Sequence, residues 1–380
     1  MKVGAILMAQ NYGEYLRPDR GTVPHVGSSE FFREEIKAAE LAVSLGFETI
    51  WSVEHHSTAH GESPAPLQQL TYFAGKTTAN LGTSVVVLPW NDPVRVAEQI
   101  AVLDNLLEPG RTLTIGVGRG SAKVEFDQFE IDLGESNERF HENWDIVRKL
   151  LTEENVSYKG KWRSFENVTV LPRPKSKDIV DRVVYSWGSR TSLEYAASSG
   201  FLPLFVSQGD VTKQAEDMKV YNEIRGRHGW DPVRPIVSLN VFVDKDPDRA
   251  QEEGRKYLRN FYSATLDHYQ RLEPEHFAKA GNYSETAEKA AAMAKRDRAE
   301  LLDELAAVQP CGTPEQVLGQ LREWYEVIDP SEFAFCVRFG GMPYAETERN
   351  IRAVSEILPE VRKWTSADDR SRTLTVGDRV

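Results

Sequence analysis

Three histidines fall within residues 51–61, WSVEHHSTAHG, although the whole chain holds only 8. Imidazole gains and loses a proton near neutral pH and is the commonest nitrogen ligand for metals, so this stretch offers either acid–base chemistry or a metal cage. The apolar residues ahead of it read as a strand, which places Glu54, His55 and His56 at that strand's C-terminal end. Successive residues of an extended segment point to opposite faces, so His55 and His56 do not readily bind one ion together. No HxH or HExxH spacing occurs anywhere in the chain, and we expect no metal site. A purely structural role, hydrogen bonding to loop backbone, is the stronger reading for His56 and His60 and the weaker one for His55.

Two further segments suit an anion. In RTLTIGVGRGSAKVEF, residues 111–126, Gly118 and Gly120 bracket Arg119, so a bidentate cation stands among exposed backbone N–H groups. Alone, GVGRG could equally be a tight turn after a strand. In SWGSRTSLEYAASSG, residues 186–200, Gly188, Ser189, Thr191 and Ser192 lead into an Ala-rich helix, where small hydroxyl residues either cap the helix or hold an anion with it. For that segment alone the cap is favoured. Two such segments on successive core strands point to a phosphorylated ligand, and the lack of a GxGxxG fingerprint means that it need not be a dinucleotide.

The elements that must position these residues alternate. Short apolar runs at 3–8, 49–53, 82–89, 111–120, 183–187, 201–207, 236–243 and 333–339 are separated by helical patterns, the rhythm of βα units feeding a parallel sheet. Phe32, Ile36, Ala39 and Val43 share one helical face, with Gly46 placed to end that helix. Pro93 sits at a helix start, and Pro109-Gly110 stops the same helix. The unbroken run at 82–89 suits a strand buried on both faces. About eight strands predict an α/β fold, a TIM-type (β/α)8 barrel. It would occupy residues 1–364 as a single domain, with insertions after strand four at 121–178 and after strand seven at 271–308. The second insertion, rich in Ala, Glu, Lys and Arg, reads as a solvated helix pair or a mobile lid, and residues 365–380 as a surface tail.

Composition limits the function. With 40% hydrophobic and 27% charged residues the 380-residue chain is an ordinary globular protein. Its net charge of −12, without a block of Lys and Arg, argues against nucleic acid. Cys311 and Cys336 make neither a disulfide framework nor a thiolate zinc site, and suit a reducing cytoplasm. The N-terminal MKVGAILMAQNYGEY turns polar too soon for a secretion signal or a membrane span, so we expect no membrane contact.

Taken in order, WSVEHHSTAHG, GTSVVVLPWNDPVRVAEQIAVLDNLLEPGR, GVGRG, KVYNEIRGRHGWD and GTPEQV resemble the luciferase-like flavin-dependent monooxygenases, the bacterial luciferase alpha subunit above all. The likeness runs from Met1 to about Trp364. It implies a barrel that binds FMN at its C-terminal face and uses reduced FMN as a co-substrate with dioxygen. The reduced flavin would come from a separate NAD(P)H:flavin reductase, and the organic substrate would be a small apolar molecule such as an aldehyde or ketone. The resemblance maps a histidine needed for oxygen chemistry onto His55, as acid, base or hydrogen-bond partner, with Glu54 behind it setting its tautomer. It maps the phosphate contact onto Arg119, with Gly118 beside it, and the phosphate loop onto Gly188, Ser189 and Ser192. A non-proline cis peptide beneath the flavin ring maps onto Ser84-Val85. Gly118 replaces a reactive cysteine of the luciferase alpha subunit, which argues against light emission. A cytoplasmic homodimer is expected. Rival readings are an oxidoreductase of the same superfamily using a deazaflavin, a non-catalytic flavin-binding subunit, and a metal-dependent barrel hydrolase.

Overall fold

The structure is a computed structural model that describes residues 1–13, 25–206, 211–278, 280 and 283–365. Eight strands follow one another: β1 (Lys2–Leu7), β2 (Thr49–Ser52), β3 (Asn80–Thr83), β4 (Leu113–Gly118), β5 (Val183–Tyr185), β6 (Leu202–Val206), β7 (Ile236–Asn240) and β8 (Glu332–Cys336). Each pairs in parallel with the next, and β8 pairs with β1, so the sheet closes into a barrel with no free edge. Apolar residues such as Ile50, Leu81, Ile115 and Phe333 are fully buried, as strands covered by helices outside and packed side chains inside require.

The helices between them are α1 (Ser28–Ser44), α2 (Pro66–Ala74), α3 (Pro93–Leu106), α4 (Lys123–Gln128), α5 (Ser136–Thr152), α6 (Arg190–Ser198), α7 (Val211–Arg227) and α8 (Arg255–His268). Three short helices follow, α9 (Pro274–Ala278), α10 (Ser284–Met293) and α11 (Arg298–Ala307), then α12 (Pro314–Ile328) and α13 (Tyr344–Arg362). Pro93 opens α3 behind the cap Asp92, whose carboxylate accepts from the N–H groups of Val94 and Arg95. Gly46 takes φ 103° just beyond α1. The first insertion carries an antiparallel hairpin of Val156–Lys159 with Ser164–Val168. The tail from residue 366 onward lies outside the described residues, as does residue 207 of the sixth predicted strand.

Two sequence expectations need correction. The buried face of α1 is Phe31, Glu35, Ala38, Ala39 and Ala42, while Phe32 is exposed and Ile36 and Val43 only half-buried. The face turns because Arg338, just beyond β8, is buried against it, bonding Glu35 at 2.8 Å and Glu34 at 2.6 Å and lying 4.5 Å from the centre of the Phe31 ring. A buried glutamate is tolerable only with such a partner. The run at 82–89 is not one strand either. It breaks after β3 at a cis Ser84-Val85 peptide, the isomer the resemblance implied, and resumes only as Val86–Val87 beside β4. At the break, the Thr83 hydroxyl spans the gap by accepting from the Gly116 N–H and donating to the Gly116 carbonyl, at 2.8 and 2.9 Å. Gly116 permits that approach, since a Cβ there would lie 2.0 Å from the Thr83 carbonyl oxygen.

Candidate active site

All the residues singled out as cofactor or catalytic candidates line one cavity of about 720 Å³ at the C-terminal ends of the strands. That volume suits a cofactor-sized ligand. Val85 and Gly118 meet on its wall. A Cβ on Gly118 would come within 2.5 Å of a Val85 methyl, so the glycine is what lets β4 pass close to the cis peptide.

His55 leaves β2 as an extended residue, its N–H bonded to the Ser63 carbonyl at 3.0 Å, and turns its ring toward a carboxylate that sequence reasoning had not assigned. His55 Nδ1 faces Glu125 Oε1 at 3.6 Å, and Nε2 of His268, the last residue of α8, faces the same oxygen at 3.4 Å. The oxygen also accepts the His56 N–H at 2.9 Å. The other nitrogen of His268 meets the Thr58 hydroxyl at 2.7 Å. The ionised Glu125 can only accept, so the facing His268 Nε2 carries the proton and Nδ1 is left to accept the hydroxyl of Thr58, which itself accepts the His60 N–H. Burial opposes ionisation of Glu125, but His268 and His55 outweigh it and hold the carboxyl well below the usual carboxylate range. With Nδ1 turned to Glu125 and buried, Nε2 is the His55 nitrogen left to meet a ligand in the cavity.

His55, Glu125 and His268 place three ligand-type atoms within 4.8 Å of one another. They read better as a carboxylate between two imidazoles than as a metal cage, because the shared Glu125 oxygen is already bonded to the His56 N–H. His60 joins them from the loop, stacked on His268 at 4.8 Å and edge-on to His55 at 4.5 Å. Burial, reinforced by both neighbours, drives His60 well below the ordinary value of 6.5. The folded chain therefore refuses a proton that the unfolded chain accepts below about pH 6.5, so this contribution is whole above that pH and shrinks as pH falls, by up to about 1.4 kcal/mol per pH unit. Thermal midpoints of wild type and His60→Gln between about pH 7 and about pH 5 should show a shallower decline in the variant. Identical slopes would remove His60 as the source.

Glu54 does not stand behind His55. Its carboxylate accepts from the Val87 N–H, Trp90 Nε1, Asn91 Nδ2 and His56 Nε2 at 2.7 to 3.2 Å, which ties the end of β2 to the segment after the cis peptide. His56 faces away from His55 as predicted, between Trp90 and Phe129.

The other part of the cavity is cationic. Arg119 is bonded at 3.4 Å to Asn137 and lies 5.0 Å from the centre of the Tyr283 ring, with no carboxylate partner among the described residues. Burial alone would lower its pKa, and the phenols of Tyr283 and Tyr185 outweigh that and keep it charged. His141, stacked on Tyr195 at 4.0 Å, is held neutral by burial and by Arg119. Ser189 and Ser192 cap each other across the start of α6, so their side chains serve the helix first. The Arg190 N–H turns instead to Glu285 on α10, and Lys289 donates to the Gly188 carbonyl at 3.2 Å. A carboxylate thus meets the α6 N-terminus in the position that suits an anion.

FMN fits these residues. An arginine without a carboxylate partner and an anion-holding helix end lie on the same cavity as the Ser84-Val85 segment and His55. Asn137, Glu125, His268 and Tyr283 escaped sequence reasoning. Glu125 had one signal, its position six residues past Arg119 in the strand-four motif, and the other three had none.

A family model described as luciferase-like monooxygenase matches residues 1–329. The alkanal monooxygenase alpha chain of Photorhabdus luminescens is 28% identical over 248 residues, covering 64% of this chain and 67% of its own. Among solved structures, monooxygenase RslO1 of Streptomyces bottropensis superposes with a TM-score of 0.73 at 27% identity, over 95% of this chain and 100% of its own. The oxygenating constituent of 3,6-diketocamphane monooxygenase of Pseudomonas putida, solved with FMN, gives 0.69 at 18% identity, over 94% and 98%, a likeness of fold.

Proposed function

This chain belongs to the luciferase-like monooxygenase family, and from that premise we propose that it uses reduced FMN and dioxygen to oxygenate a small, largely apolar organic molecule. One observation carries the reading: His55, backed by the ionised Glu125, opens onto the same cavity as Arg119, a cation without a carboxylate partner among the described residues. The FMN in the diketocamphane enzyme supports the choice of flavin. When bound, reduced FMN supplies the electrons that activate dioxygen.

The chain's own residues bind, orient and shield. Arg119 takes the phosphate, together with the α6 N-terminus once Glu285 yields. Val85 and Gly118, which meet on the cavity wall, would hold the flavin ring. His55 exchanges a proton with the substrate or with reduced oxygen through Nε2, while Glu125 and His268 hold the Nδ1 side and steady the imidazolium. Without a nicotinamide fingerprint, the chain takes reduced flavin from a separate NAD(P)H:flavin reductase. A homodimer belongs to the same reading, supported by exposed Tyr72, Val102 and Leu106 on the neighbouring helices α2 and α3.

The decisive experiment mixes the protein with chemically reduced FMN, oxygen and a panel of aldehydes and ketones, and counts product and hydrogen peroxide per flavin oxidised. Product above the protein-free control supports the reading. Turnover with a reduced deazaflavin but never with FMN would replace it.

The described residues of 271–308 close part of the cavity through Tyr283, Glu285 and Lys289. They are anchored by a small apolar cluster around Phe277 and Tyr283 and, farther on, by Leu301 and Leu302 against Leu266, with the Arg298–Asp267 and Arg259–Asp303 ion pairs beside them. The Phe277–Tyr283 cluster buries little surface, so opening there is cheap, and this part of the segment serves as a lid that excludes water. Limited proteolysis should cut it several times more slowly with FMN bound, roughly in proportion to the shift in opening. A cleavage rate indifferent to FMN would leave it a plain surface element.

A further inference from the structure

The cavity holds a second arginine that no step above uses. Just beyond α8, Gln270 takes the left-handed region, φ 48°, and the Arg271 N–H bonds back to the Leu266 carbonyl at 2.9 Å, a Schellman-type closure. A non-glycine residue held there costs energy, which the surrounding structure must repay. The turn brings both Tyr269 and Arg271 to the cavity wall. Tyr269 packs edge-on to His55 at 6.0 Å, and the Arg271 guanidinium lies 5.2 Å from the centre of the Tyr269 ring. The turn, at the root of the lid, therefore holds the backbone of Arg271, and the ring packing holds its stem.

The charge on Arg271 is unanswered. No carboxylate pairs with it among the described residues, and its buried Nε has no hydrogen-bond partner there. Burial lowers its pKa, and only the phenols of Tyr269 and Tyr283 act against that. Glu125 is occupied by the histidines. A guanidinium stays charged in any protein, and a desolvated charge without a partner is costly unless a ligand completes it. Arg119 does not make Arg271 redundant. Arg119 acts on Tyr185 and His141, whereas Arg271 acts on Tyr269 beside His55, with Tyr283 facing both.

We propose that Arg271 binds a second anionic group in this cavity, one that presents two acceptors side by side to the guanidinium fork. Two sources share that chemistry: the N1–C2=O edge of the reduced isoalloxazine, which carries the negative charge of the reduced ring, and a carboxylate on the organic substrate. The first source rests on the FMN reading above, and the second does not.

The test compares wild type, Arg271→Met and Arg271→Lys for binding of oxidised FMN, anaerobically reduced FMN, riboflavin and benzoate, with thermal midpoints as the control for folding. If the ring is the source, Arg271→Met weakens reduced FMN by roughly tenfold more than oxidised FMN, and Arg271→Lys recovers part of the loss. If a substrate carboxylate is the source, both flavin states bind unchanged and the benzoate affinity of wild type disappears in Arg271→Met. Equal losses for oxidised and reduced FMN with riboflavin spared would assign Arg271 to the phosphate and overturn the proposal. So would unchanged binding of every ligand by a normally folded variant. Wild type that binds no flavin in either state would sink the FMN reading by itself, and the benzoate comparison would then decide Arg271.

Discussion

Replacing His55 by alanine is expected to lower product formed per flavin oxidised by about 100-fold or more, the usual share of a positioned acid–base group. The flavin should still be consumed, with hydrogen peroxide taking the place of product. FMN affinity should stay within about threefold, because the phosphate contacts lie on other strands. His55 is the group whose outer nitrogen opens to the cavity while its inner one faces an ionised carboxylate, so losing it removes the proton exchange and leaves Glu125 short of a partner. Stopped-flow oxidation combined with product analysis reads both effects. Unchanged coupling of oxidation to product would take His55 out of the mechanism. His56→Ala should do less to coupling, since that ring is turned to Glu54, Trp90 and Phe129. Equal coupling losses from the two variants would contradict the facing seen here.

Arg119→Ala should weaken FMN by about 2 kcal/mol, roughly thirtyfold in Kd, while riboflavin is barely affected. The cation is half-buried, lacks a carboxylate partner among the described residues, and is kept charged by Tyr283 and Tyr185, so the doubly charged phosphate meets a site that is already partly desolvated. Side-by-side titration with the two flavins isolates the phosphate term, and the thermal midpoint checks that loss of the Tyr283 contact has not disturbed the fold. A parallel loss for both flavins would assign Arg119 to architecture. The same comparison at Ser189 and Ser192 should give smaller differences, because their side chains are spent on the helix cap.

Local chemistry in the sequence was enough to determine the (β/α)8 architecture and the general place of the site. Strand and helix periodicities report burial one element at a time, and in a barrel the C-terminal ends of the strands become the site wherever the chain supplies suitable residues. That is why His55, Arg119, Gly188, Ser189, Thr191 and Ser192 could be named beforehand and why all of them line one cavity. Tertiary structure alone decided which groups answer one another across the barrel. Glu54 and Glu125 both follow barrel strands, yet backbone paths send Glu54 to Trp90 and Asn91 and bring Glu125 beneath His55. His268 lies 213 residues beyond His55 in the chain and reaches the same carboxylate only because α8 ends over the barrel mouth. The turned face of α1 has the same cause, since Arg338 arrives from the far end of the chain to bury Glu35. Pairings between side chains depend on distances that close only when the sheet does, and periodicity carries no record of them.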